Sequence, residues 1–263
     1  MRSIYVDKYS DDLYQSLLRS TKEAKELKTS IRRIEKEFGL LGYRDDELSI
    51  RVQRNLDFAS INLKSILYDQ AIFEGIRGDF FQIEEVLDSG IVNGLRSYDV
   101  IKILNLRRAW EFILRKDMIQ HGTDYSILCY IARLVNEAFY AEGGRIRGVP
   151  VSIGGSSCRP PTPNEIEVKQ SIQDIVSKEG VDIDKAIELC LYCMRTQIFH
   201  DGNKRAATTF SNHYLISKGE GLIVVPEKEV PAFKKLLVES YESGNMDPIK
   251  AFMKEHCWRR LDS

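Results

Sequence analysis

The feature that most constrains this sequence is a short loop, Gln197 to Arg205, between two helical segments. Apolar residues recur at helical spacing before it, from Ile183 to Arg195, and after it, from Ala206 to Ser217. An Asp-Gly-Asn triplet at residues 201–203 lies directly before the second segment. A glycine-containing loop at a helix N-terminus presents free backbone N–H groups, which bind phosphate or another anion. The stretch therefore predicts an anion-binding helix–loop–helix.

The charges next to the triplet support this interpretation. Lys204 and Arg205 fall in the first helical turn, where the helix dipole disfavours cations, so an anionic ligand is expected there. Gly202 permits positive φ and a close approach of the backbone to a ligand. Asp201 supplies oxygen ligands of the kind that Mg²⁺ prefers. The alternative is an ordinary turn followed by a simple N-cap, since Asp, Gly and Asn are common in both.

Residues 197–205 resemble the signature of the Fic/Doc (Fido) family, H-x-F-x-[DE]-G-N-[GK]-R. The positions that agree are Phe199, Asp201, Gly202, Asn203, Lys204 and Arg205. Gln197 stands where the family has its catalytic histidine, and Thr208 stands where the longer signature has a second arginine. The resemblance implies an all-α, Fic-like helical bundle with a small β-hairpin flap.

The resemblance also implies a chemistry, which is the transfer of AMP from ATP to a hydroxyl side chain of a target protein. Asp201 would face Mg²⁺, and the residues from Gly202 to Arg205 would hold the nucleotide. Gln197 would occupy the position of the general base, but an amide cannot take up a proton near neutral pH. General-base catalysis contributes about two to four orders of magnitude in rate. We therefore expect a nucleotide-binding protein adenylyltransferase fold with impaired or absent turnover, a possible pseudoenzyme.

A second motif lies upstream, at the end of a helical stretch predicted for residues 47–76. Glu74 and Gly75 match the end of the family's inhibitory motif [ST]-x-x-x-E-[GN], while Gln70 stands at its Ser/Thr position. In the family this glutamate occupies the γ-phosphate region and holds the second signature arginine. Glu74 is therefore a candidate inhibitory residue that points into the site. The alternative is a plain helix end, because glycine is the usual residue after a helix C-terminus.

Residues 143–155 alternate apolar and polar side chains between glycines, which predicts a β-hairpin. In the family a hairpin at this place is a flap over the site, and it binds an extended segment of the target protein as an added strand. A surface hairpin without a partner is the alternative. Further helices are predicted within residues 79–120, 124–141 and 231–258, with an extended stretch at Leu222–Val225.

Other functions remain open at this stage. Transfer could use a different base, such as His200 at the variable position of the signature. Lys204 is shared with the Doc branch, whose members are kinase toxins that bind ATP in the opposite sense. Outside the family, the alternative is a non-catalytic helical interaction or regulatory protein.

Length and composition are those of an ordinary globular protein of 263 residues. We predict an N-terminal helical extension at residues 1–45 and a Fic-like domain at 46–263. A net charge of −1 gives no global argument for a nucleic acid partner, and no apolar run is long enough to span a membrane. The expected partners are a nucleotide and a target protein at the flap, with a homodimer possible.

The five cysteines do not form a disulfide framework, because their number is odd and the chain is long. A cytoplasmic location is therefore expected. Cys190 and Cys193 form a C-x-x-C within a predicted helix, and no second Cys/His pair has the spacing of a zinc site. We interpret both as core residues.

Overall fold

The computed structural model describes residues 48–90 and 93–261, so the predictions for residues 1–45 lie outside the described part. The helices in chain order are α1 (Ile50–Ile61), α2 (Leu63–Phe73), α3 (Phe80–Ser89), α4 (Ser97–Ile113), α5 (Lys116–Gln120), α6 (Tyr125–Val135), α7 (Glu165–Ser177), α8 (Asp182–Thr196), α9 (Asn203–Lys218), α10 (Val230–Ser243) and α11 (Asp247–Phe252). A 3₁₀ turn (Glu227–Glu229) precedes α10, and a π-helical turn (Met253–Cys257) follows α11. The all-α prediction is confirmed.

Helix α9 is the centre of the fold. Every residue from Asn203 to Ile216 except Lys204 is buried, as expected for a helix surrounded by other elements. It packs against α8 and α6 and also contacts α1, α4 and α5. Cys190 and Cys193 of α8 are fully buried in this core, as predicted. The loop between α8 and α9 is therefore anchored at both ends by buried helices.

Two predicted helices are shorter than expected. The stretch 47–76 is divided at Asn62, whose side-chain amide donates a hydrogen bond to the Phe58 carbonyl and separates α1 from α2. The stretch 124–141 ends as a helix at Val135. The next residue, Asn136, is buried, and its Nδ2 lies 2.9 Å from the Asp201 carbonyl oxygen. That long-range contact fixes the chain in a loop from residue 136 onwards.

The strands lie at a different place from the predicted flap. Leu222–Ile223 (β1) and Trp258–Arg259 (β2) pair as an antiparallel sheet, with Leu222 opposite Arg259. Residues 143–155 form an irregular loop with a turn at Gly154–Gly155, so the prediction of a hairpin there is wrong. Nη1 of the buried Arg147 donates a hydrogen bond to the Val149 carbonyl, a group that a strand ladder could have used.

Within the described residues, no helix combines the length and the apolar character that crossing a membrane requires.

Candidate active site at the junction of α8 and α9

The loop that joins α8 to α9 contains two left-handed residues. Gln197 follows α8 with φ of 49°, and Gly202 precedes α9 with φ of 71°. A side chain at position 202 would place its Cβ 2.7 Å from Oδ1 of Asn136. Glycine is therefore required both for the positive φ and for the close packing against Asn136. The result is a turn that exposes the first backbone N–H groups of α9 to one side of the loop.

Asn203 closes this loop with its side chain. Its Oδ1 accepts a hydrogen bond from the Phe199 backbone N–H at 2.9 Å, and its Nδ2 donates to the Phe199 carbonyl at 2.8 Å. The same Nδ2 lies 3.2 Å from Oε1 of Gln197. Since Phe199 is buried, these bonds satisfy backbone groups that have no access to water. Asn203 is thus a structural member of the signature in this protein.

Arg205 is the most buried charge of the site, with 1% of its side chain exposed. Its Nη1 donates to the Val135 carbonyl at 2.5 Å, and its Nη2 lies 3.1 Å from Oδ2 of Asp201. Its Nε faces Oε2 of Glu74 at 3.3 Å but makes no hydrogen bond. Arg205 therefore links the Asp201 end of the loop to the Glu74 end of α2.

Glu74 points toward the signature cations Lys204 and Arg205. Its Oε1 lies 3.6 Å from Nζ of Lys204 and has no hydrogen-bond partner, although the side chain is only 8% exposed. A buried carboxylate without hydrogen bonds is poorly stabilised. Gly75 follows with φ of 85° and open space around its Cα, so the helix ends directly after Glu74. Electrostatic attraction to Lys204 and Arg205, without hydrogen bonds, therefore holds the Glu74 carboxylate in place.

The Gln197 side chain is turned back onto the end of α8. Its Nε2 donates to the Met194 carbonyl at 2.6 Å, and its Oε1 accepts from Asn203. The backbone carbonyl of Gln197 accepts a hydrogen bond from Nε of Arg147 at 2.5 Å. The amide at the base position thus has a fixed orientation, and the backbone there is held in the left-handed conformation by Arg147.

Most of the side chains described above line a cavity of about 370 Å³. It is lined by Glu74, Ser152, Ile153, Gly154, Gln197, Asp201, Gly202, Asn203, Lys204, Lys234, Leu237, Val238 and Tyr241. A larger cavity of about 1070 Å³ lies between α6 and α7 and contains no signature residue. We assign the candidate site to the smaller cavity because the start of α9 and the buried Glu74 carboxylate line it.

His200 lies outside this cavity. Its exposed ring stands edge-on to Tyr140, with 5.3 Å between the ring centres, and lines a separate cavity of about 340 Å³. Asp201 borders both cavities. The position of His200 therefore gives no support to a role as the substitute base for Gln197.

Asp201 is the candidate for metal binding. Its side chain is 41% exposed at the cavity, and only Oδ2 is engaged by Arg205. No set of three His, Cys, Asp or Glu side chains in the described part of the chain could hold a metal ion by itself. One free carboxylate oxygen fits Mg²⁺, which usually takes one or two carboxylates together with phosphate oxygens of the substrate.

Two site residues were missed by sequence reasoning. Arg147 is 4% exposed and donates to the carbonyls of Val149, Pro161 and Gln197. Lys234 of α10 also lines the cavity, and it lies 29 residues after Arg205 in the sequence. An arginine between glycines and a lysine on an amphipathic helix are both usual at the surface, so nothing in their local sequence marks them.

Comparison with known proteins agrees with this geometry. Residues 122–215 match the model of the Fic/DOC family. This part of the chain is similar to the Fic/DOC family. The Fic/DOC segment covers α6 to α9 and the whole signature loop, whereas Glu74 and Lys234 lie outside it.

Solved Fic structures share the fold with little sequence identity. Fic-1 of C. elegans (residues 134–508) superposes with a TM-score of 0.64 at 20% identity, over 97% of this chain and 75% of that one. A Fic domain signaling protein of Bacteroides thetaiotaomicron gives 0.61 at 16% identity, over 80% and 85%. A Fic family protein of Desulfovibrio desulfuricans gives 0.59 at 14% identity, over 78% and 69%. No curated protein matches the sequence.

Proposed function

We propose that this protein binds ATP at the α8–α9 loop. Its fold is that of an enzyme that transfers AMP to hydroxyl side chains, and this transfer is impaired here. The observation that carries the proposal is that Lys204, Lys234 and the start of α9 line one cavity, with Arg205 buried next to them. Glu74, the buried carboxylate that faces Lys204 and Arg205, has no hydrogen bond to its Oε1. Such a cavity favours a ligand with several negative charges.

The phosphates of the nucleotide would lie against the first N–H groups of α9. Lys204 and Arg205 would supply the positive charge, and Asn203 would hold the loop in the binding conformation through its bonds to Phe199. Asp201 would hold Mg²⁺ together with phosphate oxygens, and the metal would neutralise charge that develops on the leaving phosphates.

The missing element is a proton acceptor. In AMP transfer the oxygen of a target hydroxyl forms a bond to the α-phosphorus, pyrophosphate leaves, and the hydroxyl proton must pass to a base. Gln197 lines the cavity at the base position, and its amide has no basicity at neutral pH. ATP binding is then retained, while transfer is slower by about two to four orders of magnitude.

Glu74 would act as an inhibitory residue by a modified contact. The second arginine of the signature is replaced by Thr208, and the carboxylate faces Lys204 and Arg205 instead. A phosphate group and the Glu74 carboxylate would compete for the same cations. The target protein would dock at the flap loop, whose residues Ser152, Ile153 and Gly154 form one edge of the cavity.

Calorimetric titration of ATP with Mg²⁺ tests the proposal. We would compare the wild type with Glu74→Gly, Asp201→Ala and the matched control Asp57→Ala, which changes an exposed carboxylate bonded to Gln53. We expect tighter binding by Glu74→Gly, weaker binding by Asp201→Ala, and wild-type binding by the control. If neither the wild type nor Glu74→Gly binds ATP, the nucleotide site is wrong, and the chain is a helical interaction protein.

A further inference from the structure

A second lysine, from outside the signature, faces the same cavity as Lys204. Lys234 is contributed by α10, and both lysines line the 370 Å³ cavity beside Glu74. Their ammonium groups also approach the same aromatic ring, with Nζ of Lys204 at 5.0 Å and Nζ of Lys234 at 6.0 Å from the centre of Phe73. The start of α9 and the first half of α10 thus place two like charges close together, beside Phe73 at the end of α2.

The described residues place too little negative charge beside these two lysines. Glu74 acts on both lysines, and it also faces Arg205. Asp201, the other carboxylate at this cavity, is paired with Arg205. Burial and the neighbouring Lys204 lower the pKa of Lys234, and Glu74 only partly opposes this effect. Like charges in a partly buried place are unfavourable unless an anion accompanies them. The arrangement is therefore better suited to a bound state that carries more negative charge than Glu74 alone.

The position of the pair defines which part of a ligand it would hold. Lys204 follows the anion-binding start of α9, while Lys234 approaches the cavity from a second element, α10. A group held between them needs negative charge on more than one side. Ammonium groups bind phosphate as point charges, so a chain of phosphates satisfies two lysines where a single ester phosphate already engaged by the helix N-terminus does not.

We infer that Lys204 and Lys234 form a clamp for the terminal phosphates of the ligand, so that the site selects a nucleoside triphosphate over a monophosphate. This inference rests on the proposed nucleotide site and adds Lys234 as a specificity-determining residue. Glu74 lies 3.6 Å from Nζ of Lys204, one of the two members of this clamp. The phenyl ring of Phe73 shields one side of both ammonium groups from water, which strengthens their attraction to an anion.

The test compares ATP and AMP, each with Mg²⁺, by calorimetric titration into the full chain and into its Glu74→Gly variant. Lys234→Gln is introduced into both. The matched control is Lys235→Gln, because Lys235 is the next residue on α10, is 77% exposed and lies 3.9 Å from Glu239. We expect Lys234→Gln to weaken ATP binding by about ten- to a hundredfold. AMP binding and both titrations of Lys235→Gln are expected to stay at the level of the parent.

The outcomes separate this inference from the proposed function. If ATP binds to the parent equally well with Lys234 or Gln at this position, the clamp is wrong and the nucleotide site stands. Equal weakening of ATP and AMP also overturns the clamp, because Lys234 would then contact the part common to both. If AMP binds too weakly to compare, inorganic triphosphate replaces it, and an unchanged affinity of Lys234→Gln for triphosphate overturns the clamp. Failure of every nucleotide to bind the wild type and Glu74→Gly overturns both proposals.

Discussion

Gln70 and Thr208 are joined by a buried hydrogen bond, with 2.5 Å between Nε2 of Gln70 and Oγ1 of Thr208. Both residues differ from the Fic motifs, as Gln197 also does; Gln70 stands at the Ser/Thr position of the inhibitory motif and Thr208 at the second signature arginine. Oε1 of Gln70 also accepts a hydrogen bond from the Trp110 indole at 2.6 Å. The space of the arginine is therefore filled by a neutral network, which leaves Glu74 to face Lys204 and Arg205.

This network predicts a stability effect. Gln70→Leu should lower the free energy of unfolding by about 1–3 kcal/mol, because it leaves the buried Trp110 N–H without an acceptor. Thr208→Val should cost less, since the indole keeps its partner. The double variant should be less damaging than the sum of the two, as expected for residues in one network. Urea denaturation measures all three.

The matched control is Gln53→Leu, because Gln53 bonds to Asp57 on the exposed side of α1. A change there should stay within about 0.5 kcal/mol of the wild type. If Gln70→Leu is as mild as Gln53→Leu, the buried network does not stabilise the protein. Strict additivity of Gln70→Leu and Thr208→Val would show that the two side chains act separately.

Arg147 predicts a second effect, on the loop that borders the site. Its guanidinium is buried, and backbone carbonyls accept its hydrogen bonds; the acceptors are Val149, Pro160, Pro161, Thr196 and Gln197. Arg147→Met should lower the free energy of unfolding by about 3 kcal/mol, because several buried carbonyls lose their donor at once. The same change should increase hydrogen exchange in residues 148–163, which it would release from the start of the signature loop.

Arg145→Met is the control for this experiment. Arg145 lies two residues earlier, is 73% exposed and pairs with the exposed Glu142. Its loss should change neither the unfolding free energy nor the exchange of residues 148–163 appreciably. A similar response of the two arginine variants would contradict the anchoring role of Arg147.

Local patterns were sufficient to predict the helices that hold the site. The apolar spacing of residues 183–195 and 206–217 predicted α8 and α9 to within a few residues, and the Asp-Gly-Asn triplet indicated the left-handed turn between them. Both depend on neighbours in sequence. The position of the loop at residues 143–155 depends on Arg147, whose hydrogen bonds reach carbonyl groups up to 50 residues away. Such a bond has no local signal, so the alternation in residues 143–155 was interpreted as a hairpin.

The charges of the site show the same division. Lys204 and Arg205 were identified because they adjoin the triplet, whereas Lys234 reaches the cavity only through the packing of α10. Asn136 ends α6 by bonding to Asp201, 65 residues away, and no periodicity of apolar residues predicts that contact. Sequence therefore indicated the signature side of the cavity, and tertiary packing determined the opposite side.

His213 predicts how stability depends on pH. The ring is buried in α9, with Nε2 at 2.7 Å from the Met118 carbonyl and Nδ1 at 2.9 Å from Oγ1 of Thr123. Burial lowers its pKa, helped by His121 and opposed by the Met118 carbonyl and Asp124. The unfolded chain therefore binds a proton at a pH where the folded protein does not. The stability that neutral His213 contributes is complete above pH 6.5 and is lost as the pH falls toward the folded pKa.

Urea denaturation between pH 5 and pH 8 measures this effect. Below pH 6.5, the free energy of unfolding of the wild type should fall with pH by up to about 1.4 kcal/mol per pH unit more than that of His213→Gln. His256→Gln, which changes an exposed ring beside Glu255, should retain the wild-type slope. Parallel curves for the wild type and His213→Gln would show that His213 titrates equally in the folded and unfolded states.

Gln197→His is expected to restore a proton acceptor at the start of the signature loop. Gln197 has a φ of 49°, a conformation in which histidine is enriched among non-glycine residues, so the exchange should not add backbone strain. In the Glu74→Gly background we would measure the pyrophosphate released from ATP as AMP is transferred to a hydroxyl side chain of the protein itself, and this rate should rise by about two to four orders of magnitude. Gln197→Asn is the matched control, because asparagine tolerates the same backbone and cannot act as a base. Equal rates for the two variants, with ATP bound by both, would show that position 197 is not where the hydroxyl proton is removed.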